Sequence, residues 1–175
     1  MILLVAVLGV IGTLVFGGLW LTKSGGSKSQ QDAAVLSTSR TFLKDLTNFN
    51  AKSVDADFTA VTKMATGSFA SQAQKFFNSA IRIDLEKALA DTRGQIRSVY
   101  VQNFNGHEAS VYGVVDEVYA NNKITTPQAD VLRILVNLKL VGSTWKISNV
   151  TVLEGATPGS TGSASGSAGS AVPGQ

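Results

Sequence analysis

Between Ile2 and Thr22 the chain carries no charged residue (ILLVAVLGVIGTLVFGGLWLT). A helix of roughly 21 residues, at ~1.5 Å each, reaches about 31 Å, which matches the hydrocarbon core of a bilayer. No water inside that core satisfies backbone polar groups, so such a run must close its own hydrogen bonds as a helix. Residues 1–22 are therefore expected to form a transmembrane helix. Trp20 stands where an amphipathic ring meets the headgroups, and Lys23 and Lys28 open the aqueous side. A cleaved signal peptide fits less well. Its apolar stretch is about 7–15 residues long, follows a basic start and ends at small residues, whereas this run passes into Leu19-Trp20-Leu21.

Two effects compete over orientation. The lysines after the span favour keeping that side in the cytoplasm, but long domains translocate largely regardless of charge. The chain has no cysteine, which excludes disulfides, thiolate zinc sites and thiol catalysis and suits an exported domain in a bacterium that does not use disulfides. The expectation is a single-pass protein of the cell membrane with its C-terminal domain extracytoplasmic. Within the span, Gly9, Thr13 and Gly17 recur every four residues. They line one helix face in the small-xxx-small arrangement that lets two backbones approach, although glycine is also simply common in membrane helices.

Beyond the span the composition changes twice. Residues 23–31 (KSGGSKSQQ) read as a flexible spacer. Residues 155–175 hold no charge and almost no bulky apolar group, so they cannot bury enough surface to offset ordering entropy and are expected to be disordered. A tag remnant and a natural surface tail both fit that composition. Residues 32–154 form one domain of ordinary size. The formal charge of +3 owes much to Lys23 and Lys28 beside the membrane. No clustered Lys/Arg surface of the kind nucleic acid requires is visible, so nucleic acid is not an expected partner.

Inside the domain the hydrophobic period switches from helical to alternating. Residues 32–50 place Val35, Ser39, Phe42, Leu46 and Phe49 on one face, and 54–65 repeat the pattern with Val54, Phe58, Val61 and Ala65. Gly67 reads as a stop and Ser68 as the N-cap of a long third helix to about Thr92, its stripe including Phe69, Ala73, Phe76, Ala80, Ile83 and Ala88, ended by Gly94. Four strands follow at 95–104, 108–119, 129–141 and 144–153. Asn105-Gly106 marks a type I′ hairpin, Gly142-Ser143 a second tight turn, and the link Ala120–Gln128 a loose flap. The fold class is thus α+β, three helices covering one face of an antiparallel sheet in the order 1-2-3-4.

Residues with catalytic potential are few. His107 follows the hairpin turn and reads as solvated. Asp116 and Glu117 are adjacent in a strand, so at most one points inward; an inward carboxyl among apolar walls would have a raised pKa and the means to act as a base. Asp55 and Asp57 lie at a helix start, where they favour the positive end of the dipole. There is no metal-ligand spacing, phosphate loop or serine elbow. No catalytic residue, metal or cofactor is expected, and the reading is of a non-enzyme.

The span, the spacer, three helices with Ala65-Thr66-Gly67-Ser68-Phe69 at the second junction, and a closing strand with Trp145-Lys146-Ile147-Ser148 together resemble the Mce-associated membrane proteins of actinobacteria. The architecture also resembles the nuclear transport factor 2-like cone, a bent sheet wrapped by helices around a hollow. The likeness spans about residues 1–154. It implies an accessory or scaffold subunit of a lipid or sterol import system in the cell envelope, with other transport-complex proteins as partners. Two alternatives remain: a carrier holding a small apolar ligand such as a sterol in the hollow, and the assembly subunit of a type IV secretion apparatus. Replacing Gly9 and Gly17 by leucine is expected to weaken association through the span in a membrane two-hybrid assay; an unchanged signal would remove the packing face from consideration.

Overall fold

The computed structural model describes residues 28–124 and 126–154. The chain runs α1 (Lys28–Thr47), β1 (Phe49–Asn50), α2 (Val54–Met64), α3 (Gly67–Phe76), α4 (Ser79–Lys87), β2 (Asp91–Phe104), β3 (Glu108–Ala120), β4 (Gln128–Val141) and β5 (Thr144–Glu154). The strands form one antiparallel sheet in the order β1-β2-β3-β4-β5. The 1–22 span, with Gly9, Thr13 and Gly17, and the 155–175 tail lie outside the described residues. Among the described residues no helix is long and apolar enough to cross a membrane.

The α+β architecture and the meander order agree with the periodicity, but several boundaries move. Residues 28–31, expected in the spacer, are the first turn of α1. That helix ends at Thr47, and Phe49–Asn50 pair instead with Thr92 and Asp91 as a short fifth strand. The long third helix divides into α3 and α4 at Phe77–Asn78. Asn78 has an extended backbone (φ −77°, ψ 171°), and its side chain accepts from the Ala80 and Ile81 amides at 2.9 and 3.1 Å, the geometry of an N-cap. The break resets the helical register: Leu85 is buried and Ile83, expected inside, is exposed. Thr66, not Ser68, occupies the N-cap of α3.

Gly94 does not end a helix; it lies within β2. A Cβ there would overlap Thr47 Oγ1, and one at Gly113 of β3 would stand 2.5 Å from Leu43 Cδ1. The two glycines form the seat on which the C-terminal half of α1 rests against the sheet. The α1 stripe Val35, Ser39, Phe42, Leu43 and Leu46 is buried there, with the Ser39 hydroxyl donating to the Val35 carbonyl at 2.8 Å. The other helices bring Val54, Phe58, Val61, Phe69, Ala73, Phe77 and Leu85 into the same core. Phe42 meets Phe69 edge-on at 5.6 Å between centroids, and Phe58 lies 4.2 Å from Phe77.

The sheet curls. Arg97 and Gln102 are extra residues in β2 relative to β3, and Ser148 and Leu153 are extra in β5 relative to β4. Such bulges sharpen twist and bend a strand. Gly106 carries the positive φ (92°) of the β2–β3 turn, while Asn105 does not. The central pair is therefore Gly106-His107 and not the expected Asn105-Gly106, with Asn105 Oδ1 accepting from the His107 and Glu108 amides. The 120–128 link is not a loose flap: the Asn122 amide donates to the Ala88 carbonyl and its side chain to the Lys87 carbonyl, both at 2.8 Å. Gly94→Ala is expected to destabilise the domain by about 1–3 kcal/mol in urea denaturation. Gly113→Ala should cost less, because the group it meets is the end of a flexible leucine.

Candidate functional site

The concave face of the sheet changes from apolar to polar along its length. Ile96, Val115 and Leu132 form one cross-strand row. Two residues along, the row is Gly94, Glu117 and Asp130; beyond it come Thr92, Tyr119 and Gln128. Strand alternation keeps all of these on the face shared with Val115 and Leu132. The end of α1 borders this region, with Thr47 over Gly94 and the Asn48 amide group donating to the Gly94 carbonyl at 3.0 Å.

Glu117 is 6% exposed, and no hydrogen-bond donor among the described residues reaches its carboxyl. Burial first, and the negative charge of Asp130 second, push it from its ordinary 4.5 up to about 7. Asp130 stands directly opposite, at the ~5 Å Cβ separation usual for such pairs. Its Oδ1 accepts from the Val131 amide at 2.7 Å, while Oδ2 is buried with no donor. Thr92 is 3% exposed, and its hydroxyl is likewise buried without a partner. The region thus concentrates hydrogen-bond acceptors and supplies few donors. Among the described residues no group of three His, Cys, Asp or Glu stands together as metal ligands.

The other acidic candidates disperse. Asp116 faces the opposite side of the sheet and takes Arg97 in a two-pronged pair, its Oδ2 accepting from Nε at 3.0 Å. Asp55 and Asp57 lie in the first turn of α2 as expected. Asp55 also pairs with Arg82 at 2.6 Å, and Asp57 accepts from the Ser53 hydroxyl at 2.7 Å. His107 is exposed in its turn. Glu117 was legible only as one of two adjacent carboxylates, and Asp130 was missed. Its parity with Leu132, Ile134 and Val136 was the available signal.

The two short motifs that carried the family resemblance meet. The Thr66 amide donates to the Ile147 carbonyl at 2.7 Å, the Ser68 hydroxyl to the Ser148 carbonyl at 3.3 Å, and the Lys146 ammonium to the Lys63 carbonyl at 2.6 Å. Ala65 forms a parallel bridge to Ile147. They build one joint between the α2–α3 corner and β5.

A curled sheet with helices on its concave side is shared with solved structures. The nuclear transport factor 2-like superfamily protein of Salmonella enterica aligns over 80% of this chain and 99% of its own, with TM-score 0.54 and 13% identity. The domain has the nuclear transport factor 2-like fold. The VirB8 protein of Agrobacterium tumefaciens aligns over 76% of this chain and 98% of its own at TM-score 0.59 and 11% identity. An IcmL-like type IV secretion system protein of Legionella pneumophila covers 77% and 97% at TM-score 0.56 and 10% identity. No family model and no curated protein matches the sequence.

Glu117 gives the domain a defined pH response. Its proton affinity is higher in the fold than in the unfolded chain, so between about pH 4.5 and 7 the folded state binds more protons. The contribution of Glu117 to stability is therefore greatest below that window, falls as pH rises through it and levels off above. The loss amounts to as much as about 3 kcal/mol from this group. Glu117→Gln should remove that component, making the variant more stable than the parent at pH 8 and no more stable at pH 4; urea denaturation across pH measures the difference.

Proposed function

We propose that this chain is a non-enzymatic, membrane-anchored assembly subunit of a type IV secretion-like envelope complex, its cone docking partner proteins outside the cytoplasm. The supporting observation is the domain's likeness, over nearly the full length of the other chain, to VirB8 and to an IcmL-like type IV secretion system protein. The uncharged run from Ile2 to Thr22 ahead of the domain supplies a means of anchoring.

The second reading, an accessory subunit of Mce-type lipid or sterol import, is favoured by one observation. Its two sequence motifs form a single joint at Thr66–Phe69 and Trp145–Ser148. That joint is built largely from backbone carbonyls and buried side chains, so it speaks for a shared scaffold more than for a shared task.

Affinity purification of the full chain from native membranes, after mild crosslinking, separates the two. Secretion ATPases and channel components as the enriched partners would support the first reading. Import permeases and substrate-binding proteins would overturn it in favour of the second. A C-terminal alkaline phosphatase fusion is expected to be active; an inactive one, with a fluorescent C-terminal GFP fusion, would place the domain in the cytoplasm and remove the proposed topology.

A further inference from the structure

The acceptor-rich end of the concave face has no assigned role, and its composition points to a ligand class. Glu117 and Asp130 face each other across β3 and β4, and Thr92 lies on the same face beside the Gly94–Glu117 pair. Glu117 and Thr92 are each more than nine-tenths buried. Thr92 Oγ1 and Asp130 Oδ2 have no hydrogen-bond partner, and no described donor reaches the Glu117 carboxyl. Buried polar atoms left unpaired are costly and uncommon. Two such atoms, Thr92 Oγ1 and Asp130 Oδ2, in neighbouring rows with the Glu117 carboxyl on the same face, form a pattern that a multi-donor ligand would satisfy. Gln128 in the row beyond is exposed and Asp130 is half-buried, so this end of the face lies next to solvent.

We propose that Glu117, Asp130 and Thr92 form a binding site for an organic cation bearing several N–H donors, an alkylguanidinium or alkylammonium group. The carboxyls take the charge-assisted hydrogen bonds, and the threonine hydroxyl accepts a further one. Two carboxylates with no third His, Cys, Asp or Glu beside them among the described residues are too few to hold a metal ion firmly. Ile96, part-buried in the next row, offers apolar surface for the stem that such a group carries. The cation is either a small free molecule or the side chain of an arginine or lysine presented by a partner. The site does not depend on which envelope complex the protein joins.

The test is NMR titration of the full chain in detergent with n-butylguanidinium, with tetramethylammonium as a cation lacking N–H donors, and with a capped tripeptide carrying one central arginine. Saturable shifts at Thr92, Glu117 and Asp130 are expected with n-butylguanidinium, with a dissociation constant on the order of 1–10 mM for so small a probe. Tetramethylammonium should bind at least roughly tenfold more weakly. Glu117→Gln and Asp130→Asn should each weaken binding by roughly tenfold; Thr92→Val, which leaves both carboxyls in place, should weaken it by a few-fold. If the tripeptide binds at least as well as the free probe, the source is a partner side chain; if only the free probe binds, it is a small molecule. Non-saturating shifts, equal response to tetramethylammonium, or unchanged affinity in folded variants would overturn the proposal.

Discussion

The close approach of α1 to the sheet governs the rest of the domain. Gly94 and Gly113 remove two side chains from β2 and β3, and Thr47 and Leu43 descend into the space. A helix held that near can bury a full stripe, from Val35 to Leu46, against a surface only four long strands wide. Because interiors are close-packed, even one methyl at the contact has to displace something. The same contact closes one wall of the polar region, since Thr47 lies over the residue paired with Glu117.

The long periodic elements were legible because their stripes are chemically clean. In β4, Leu132, Ile134, Val136 and Leu138 alternate with Arg133, Asn137 and Lys139, and they are buried as that pattern implies. The failures cluster where one residue type serves two purposes. Gly94 reads as a helix stop because glycine usually is one, and nothing local reveals that a helix packs on it from a distance. The division of the third helix at Asn78 was hidden because its apolar residues approximate one stripe across the break; only the side-chain cap declares it. β1 is two residues long and has no periodicity to detect.

The polar region was half legible. In the stretch Val111–Val118 both strand faces carry apolar residues, so alternation alone does not decide between Asp116 and Glu117. The tertiary fold decides it by offering Arg97 to one and a buried wall to the other. Burial then does to Glu117 what it does to any lone carboxyl, favouring the neutral form. Asp130 across the strand adds to that preference instead of relieving it. The carboxyls are fixed on paired strands of a rigid sheet and not on a loop, so their separation is set by backbone hydrogen bonds.

The bulges in β2 have a bearing on how this domain meets other proteins. Beyond Asp91 and Thr92, the outer side of that strand carries no neighbouring strand among the described residues, which would ordinarily leave a template for another chain to extend the sheet. Arg97 and Gln102 interrupt its ladder twice within a few residues, and Arg93 and Arg97 add charge along it. An edge that is kinked and charged in this way resists accretion of foreign strands. Crowded copies of such a domain do not zip together along this edge, and recognition is left to its other surfaces.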